Sequence, residues 1–286
     1  MAKFTAHLKK AVRDALAEDR AGNDITSRLL IPAGLRAGAR IIVKEPAIVC
    51  GMMFAAQTFR AVDPGVKFKA RCKDGARVGK NTCVATLEGP ARAILAGERT
   101  ALNFLGYLSG IATQTGKFVA GIRPYKAQIL ATRKTTPGNR IIEKYAVTAG
   151  GGGGHRAGLA DMILIKDNHH IACRDRLALE EAVKLARKRT KLKVEVEVDN
   201  LNELKPALEA CPDMVLLDNM TIRQLERAVK IVKGLPPRKR PLLEASGGVI
   251  LKTVRRIARA GVDRISVGAL THSHKAIDVS LEFIGR

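Results

Sequence analysis

The sequence has no tryptophan, and aromatic residues make up only 3% of it. Proteins that hold single-stranded nucleic acid usually do so on stacked aromatic side chains, so that kind of platform is excluded. Acidic residues are scarce: 27 Asp and Glu stand against 50 Lys and Arg, leaving a net charge of +23 and a pI of about 10.3. No apolar run approaches the ~18 residues that a membrane-spanning helix needs. The opening MAKFTAHLKKAVRDAL is amphipathic, without a long apolar stretch or a small-residue cleavage site, so it is not read as a signal peptide. The five cysteines (Cys50, Cys72, Cys83, Cys173 and Cys211) are odd in number, and no CxxC or CxH spacing occurs. This excludes a disulfide framework or a zinc cage. Each cysteine is expected to be a small buried hydrophobe, and a reducing cytoplasm is the expected setting.

Of the 286 residues, 46% are hydrophobic, enough to bury a sizeable core in one large domain or two small ones. The basic residues are spread along the whole chain. Their densest run is RKRTKLK (187–193), at an expected helix end, and PPRKR (236–240) falls in an expected loop. A basic surface concentrates anions and speeds their capture. With no nucleic-acid motif beside it, the charge is read as a solvated basic face plus a site for a phosphorylated substrate.

The first ~110 residues read as an α+β region. A helix is expected over Phe4 to Ala17, then EDRAGNDITS (18–27), then strands at Ala39 to Val43 and Ala47 to Cys50. Turns are marked at Asp63–Gly65 and Lys73–Gly75, and a long helical pattern begins near Gly97. Beyond residue 128 the rhythm changes. QILATRK (128–134), MILIKD (162–167), LKVEVEV (192–198), MVLLDN (214–219), PLLEASG (241–247) and RISVGAL (264–270) read as strands with helices between them. Gly234 and Gly261 sit where left-handed helix ends are expected. Strand and helix in repeated alternation predict a parallel sheet, and apolar strands covered on both faces predict a closed or nearly closed barrel.

Polar and glycine residues gather at one end of these strands: Arg133-Lys134, Lys166-Asp167-Asn168, Glu197, Asp218-Asn219, Ser246-Gly247-Gly248 and Gly268. In a β/α barrel the carboxyl ends of the strands share the face that carries the active site. Arg133 offers a bidentate fork for a carboxylate and Lys134 a mobile point charge. Thr136-Pro137 reads as an N-cap and first helical residue. The five glycines Gly150 to Gly154, followed by His155-Arg156, read as part of a ligand wall that presents backbone N–H groups. Glu197 and Asp218 can hold a divalent metal bridging phosphates, or accept hydrogen bonds from ribose hydroxyls. Glu195 shares the strand face of Glu197, and alternation alone does not choose between them. The Ser246–Gly248 turn and the loop at Gly268 suit a phosphate near a helix N-terminus. His169 and His170 are given no role.

These blocks occur in a recognisable order: EDRAGNDIT, GERTALNFLGYLSGIAT, TRKTTPG, KYAVTAGGGGGHRAGLADMILIKDNH, VEVEV, LLDN, EASGG and GVDRISVGALTHS. Over nearly its whole length the chain resembles the quinolinate phosphoribosyltransferase family, the carboxylating nicotinate-nucleotide pyrophosphorylases of NAD biosynthesis. The resemblance implies an α/β fold, with an N-terminal open α/β sandwich (1–112, joined by 272–286) and an incomplete, TIM-like α/β barrel (113–271). It implies transfer of the phosphoribosyl group of phosphoribosyl pyrophosphate (PRPP) to quinolinate with loss of CO2, assisted by Mg2+, in a cytoplasmic homodimer. The quinolinate carboxylates would be held by Arg99 from the partner subunit together with Thr132, Arg133, Lys134, His155, Arg156 and Lys166. PRPP and its metal would lie near Glu197 and Asp218, and the 5′-phosphate near Ser246, Gly247, Gly248 and Gly268. Lys134, Glu197 and Asp218 are the residues expected to act in catalysis. The spacing to the LLDN aspartate in the family selects Glu197 over Glu195. Two positions depart from the family's usual pattern: Ala131 stands where Asp is common and Gly154 where Asn is common. The alternatives are the related phosphoribosyltransferase encoded with molybdate transport, acting on another anionic ring, and a non-catalytic polyanion-binding protein. Carboxylates set among the cationic strand ends count against the second.

Overall fold

The computed structural model describes residues 2–172 and 178–284. The chain divides into two compact units: Met1–Gly116 with Pro137–Gly151 and Ser273–Arg286, and Lys117–Thr136 with Gly152–His272. The sequence-based division differs in leaving 137–151 with the barrel.

The chain begins with α1 (Ala2–Glu18) and α2 (Ile25–Leu30), then β1 (Arg36–Val43), β2 (Ala47–Ile48) and α3 (Met52–Val62). It continues through β3 (Lys67–Ala70), β4 (Arg77–Val78), β5 (Thr82–Pro90) and the long α4 (Ala91–Gly121). Asp24 starts α2 by accepting the Ser27 N–H at 3.0 Å. Hydrogen bonding from the Ser27 side chain, and then from that N–H, holds the Asp24 carboxyl below its usual range. The antiparallel sheet of this unit runs β13–β1–β5–β3, where β13 (Val279–Ile284) is the chain's last described strand. Ile41, Val43, Val84 and Leu87 cover its inner face against Phe59 of α3 and Ile94, Leu102 and Leu105 of α4. Each such side chain contributes about 1.5–3 kcal/mol on burial. The segment leading into β13 lies so close to α4 that a Cβ on Gly106 or Gly110 would collide with the carbonyls of Ile277 and Lys275. There the Ile277 N–H donates to the Gly106 carbonyl at 3.0 Å.

The second unit carries β6 (Gln128–Ala131), and α5 (Arg140–Ala149) of the first unit follows in sequence. Next come β7 (Gly153–Gly154), β8 (Ile163–Ile165), α6 (Asp167–Ala172), α7 (Leu179–Arg189), β9 (Val194–Val198) and α8 (Leu201–Glu209). β10 (Met214–Asp218), α9 (Ile222–Lys233), β11 (Leu242–Ser246), α10 (Leu251–Ala260), β12 (Arg264–Val267) and α11 (Ala269–His272) complete the unit. Its sheet has seven strands in the order β7–β6–β12–β11–β10–β9–β8, and every neighbouring pair is parallel. β7 and β8 are edges, so the barrel is incomplete. Helices cover the outer face: α9 buries Leu225, Ala228, Val229 and Val232, spaced as one helical stripe.

Some local expectations do not hold. Gly261 ends α10 in the left-handed region at φ 96°, but Gly234 keeps a right-handed conformation at φ −71° and ends α9 without that turn. Helix α5 begins after Asn139, so Thr136-Pro137 lies in the loop before it rather than at its cap. Cys50 is buried, which pushes its thiol pKa up, but Cys211 is exposed and Cys72 and Cys83 are half-buried. Cys173 lies outside the described residues. No helix among the described residues is long and apolar enough to cross a membrane.

Candidate active site

The carboxyl ends of the parallel strands open on one cavity of about 580 Å3. Thr132, Arg133 and Lys134 reach it from the end of β6, His155 and Arg156 from β7, and Lys166 from β8. Glu197 reaches it from β9, Asp218 from β10, Ser246, Gly247 and Gly248 from β11, and Gly268 from β12. All twelve of these predicted residues line the cavity. Arg99 is not in that lining: it is exposed on α4, in the first unit.

The cationic wall is held by short local bonds. Thr132 Oγ1 accepts the Lys134 N–H at 3.0 Å, and the Thr271 hydroxyl donates to the Lys134 carbonyl at 2.7 Å. The Arg133 Nε–H is buried and meets no partner among the described residues, so it is a donor still in want of an acceptor. Burial, and then the neighbouring Arg133, weaken the hold of Arg156 on its proton. Asp161 pins the turn that follows by accepting the Ala157 and Gly158 N–H groups, each at 2.7 Å. His169, for which no role was expected, accepts the Lys166 backbone N–H at Nδ1. The His170 side chain is outside the described residues.

The carboxylates lie within this basic surround. Lys166 Nζ is paired with Glu197. Burial raises the Glu197 pKa, the Lys166 bond opposes that rise, and the charges of Asp218 and Asp167 add to it. Asp218 accepts from Asn219 Nδ2 at 2.8 Å, while the Asn219 N–H donates to the Ser246 carbonyl at 3.0 Å. Gly247 and Gly248 have φ of 85° and 56°, and a Cβ on Gly247 would run into the Asn219 side chain. The turn therefore needs glycine for both its conformation and its close approach. β9 settles the choice that alternation left open. Glu195 and Glu197 share a face, but Glu195 lies deeper and fully buried while Glu197 reaches the cavity.

The glycine run does not form the wall expected of it: none of Gly150 to Gly154 lines the cavity. Its glycines serve packing instead. A Cβ on Gly150 would strike the Ala112 carbonyl and Thr115, and one on Gly153 would strike Gln128 and Leu130. Sequence reasoning missed Glu244, Ser266 and His272, which also line the cavity. Glu244 stands two residues before Ser246 on β11, and period-two alternation from that serine was the available signal.

Four Lys or Arg side chains and three carboxylates thus line one cavity. Such a site can bind a polyanion and place carboxylates against hydroxyls or a hard cation. Of the three carboxylates, Glu197 and Asp218 are partly exposed and Glu244 is buried.

Comparison with known proteins places the chain in a family. Residues 24–109 match the N-terminal domain of quinolinate phosphoribosyl transferase, and residues 111–282 match its C-terminal domain. The carboxylating nicotinate-nucleotide pyrophosphorylase of Mycobacterium leprae is 40% identical over 277 residues, covering 96% of each chain. The chloroplastic enzyme of that name from Arabidopsis thaliana is 40% identical over 297 residues, covering 97% of this chain and 83% of its own. The solved nicotinate-nucleotide pyrophosphorylase of Francisella tularensis superposes with a TM-score of 0.90 at 41% identity, covering 98% of this chain and 96% of its own. With both domains matched and such relatives along nearly its whole length, the chain belongs to the quinolinate phosphoribosyltransferase family.

Proposed function

We propose that this protein is a decarboxylating quinolinate phosphoribosyltransferase, a pentosyltransferase of de novo NAD biosynthesis. It would join quinolinate to the phosphoribosyl group of PRPP and release pyrophosphate and CO2, leaving nicotinate mononucleotide. One observation carries the reading: a single cavity gathers the cations that suit a ring dicarboxylate and the glycine turns that suit a phosphate, with carboxylates in the same lining. The buried Arg133 Nε–H, without a partner among the described residues, adds a donor that an anion would satisfy.

In this reading Arg133, Lys134, Arg156 and Lys166 orient the ring through its carboxylates, and His155 stands beside them in the same lining. The 5′-phosphate takes backbone N–H groups at Ser246–Gly248 and Gly268. The ring nitrogen's lone pair forms the bond to the anomeric carbon as the bond to pyrophosphate breaks. Positive charge builds on the ribose in that transition state, and Glu197 and Asp218 are placed to stabilise it. The ring nitrogen then bears a positive charge. That charge stabilises the electron pair left on the neighbouring ring carbon when its carboxylate departs as CO2, and this pair then takes a proton from water.

Magnesium is the metal this reading implies, and the residues fit it. Glu197 and Asp218 offer only oxygen donors, and a hard cation takes one or two carboxylates beside substrate phosphates. Their charges already act on one another. Magnesium, when bound, supplies charge neutralisation at the departing pyrophosphate. The reading also includes a homodimer in which Arg99, exposed on α4, serves the partner's site, and a cytoplasmic setting in keeping with the free thiols.

The test is a coupled assay on purified protein with quinolinate, PRPP and magnesium, following nicotinate mononucleotide and CO2 together. Both products in equal amounts are expected. Folded protein that binds PRPP but yields neither product would move the reading to another anionic ring.

A further inference from the structure

At the floor of the cavity three ionisable side chains meet from separate strands, two of them, His155 and Glu244, in its lining. Glu195 of β9 and Glu244 of β11 are fully buried, and the His155 side chain is 8% exposed. The Arg156 backbone N–H donates to His155 Nδ1 at 2.8 Å. An accepting Nδ1 leaves the ring proton on Nε2. That Nε2–H donates to Glu195 Oε2 at 2.8 Å and stands 3.5 Å from Glu244 Oε1. Ser266 Oγ donates to Glu244 Oε1 at 2.5 Å, and Arg264 Nη1 lies 3.8 Å from Glu244 Oε2. On the other side of Arg156, Asp161 fixes the next two backbone N–H groups.

Two buried carboxylates are destabilising unless each is used. The three donor atoms all lie within 4.8 Å of one another, a spacing that would also suit a metal. The hydrogen bonds speak against one. His155 could ligate only through Nε2, and its ring proton would then face the Arg156 N–H across Nδ1. What the geometry supports is a chain from the buried carboxylates, through the imidazole, to the backbone of a cavity-lining arginine.

We propose that Glu195 and Glu244 are positioning residues that lock the His155 ring, and through it the Arg156 backbone, at the floor of the anion cavity. The inference rests on the function proposed above for its kinetic consequence, but not for the ring geometry.

Two measurements test it. The first is ring 15N NMR of His155 in the purified enzyme, read without substrate so that it decides even where turnover fails. Nε2 protonated and Nδ1 bare is the expected state, and the opposite tautomer overturns the proposal. The second compares two variants. Glu195→Gln keeps an acceptor oxygen, so it should keep the tautomer and hold the KM for quinolinate within about threefold of wild type. Glu195→Leu keeps the shape and removes the acceptor, so that KM should rise about tenfold or more while the KM for PRPP stays within about twofold. A folded Leu variant with the wild-type KM overturns the proposal. Should the Leu variant fail to fold, the Gln variant decides: a tenfold loss there would make charge, not hydrogen-bonded positioning, the role of Glu195.

Discussion

Glu244 is a carboxyl group in the floor of a site built for anions, where an ionised side chain would oppose both its own burial and the ligand above. Burial, and then the charge of Glu195, push its pKa up to about 7. His155, Ser266 and Arg264 pull the other way. The unfolded chain would lose this proton near pH 4.5, the group's ordinary value. Between pH 4.5 and about 7 the folded state therefore binds more protons than the unfolded state, and stability falls as pH rises through that window. Above it the penalty is constant. Glu244→Gln removes the titration and keeps the size. Its stability relative to wild type should climb across the window, by on the order of 1–3 kcal/mol, and then level off. Urea unfolding of both proteins from pH 4.5 to 8 checks this. Two curves that stay parallel would mean that Glu244 does not hold its proton in the folded state.

At the scale of elements, the two departures from the family's usual pattern prove to be neighbours. Ala131 and Gly154 are register partners across the short parallel pair β6–β7. Ala131 is fully buried, whereas a Cβ on Gly154 would meet nothing within 4 Å. Ala131→Asp alone would bury an acid opposite a glycine that offers it no side-chain donor, and should destabilise by about 1–3 kcal/mol. Gly154→Asn alone should be nearly neutral. Together the changes should recover at least about 0.5 kcal/mol, a coupling that a double-mutant cycle reads directly. Strict additivity would show that the two sites do not communicate. This pair also marks how far the sequence could be read. The strands whose ends carry Arg133-Lys134, Lys166, Glu197, Asp218, Ser246 and Gly268 were legible because each joins an apolar run to an abrupt polar stop. β7 was not, because Gly153-Gly154 carries no side-chain pattern. The glycine run suggested ligand binding, yet at Gly150 and Gly153 close packing is what requires glycine. Alternation gave the shared face of Glu195 and Glu197 but not their depth, and depth decides which one reaches the cavity.

For the whole molecule the open term is the charge of +23. With 27 acids for 50 basic side chains, the excess cannot be matched one to one, and pairs such as Lys10–Asp14 and Arg40–Glu282 lie at the solvent. A surface pair of that kind contributes only about 0–1 kcal/mol, so the excess does little for the fold. Its effect is on the field around the protein. Quinolinate and PRPP are both anions, together carrying on the order of seven negative charges, and a basic molecule draws them inward before contact. Salt shortens the reach of that field to about 10 Å at 0.1 M and about 3 Å at 1 M. Raising chloride from about 0.02 to about 0.5 M should therefore lower kcat/KM for each substrate by about tenfold, with a much smaller change in kcat. Capture feels the long-range field, whereas chemistry takes place inside a cavity whose groups are partly shielded from salt. Matched ionic strengths of chloride and sulfate separate screening from occupation of the phosphate site, because sulfate would add competition at Ser246–Gly248. A kcat/KM that stays flat in chloride would mean that the cavity's own cations capture the substrates unaided and that the surface charge answers to something other than catalysis.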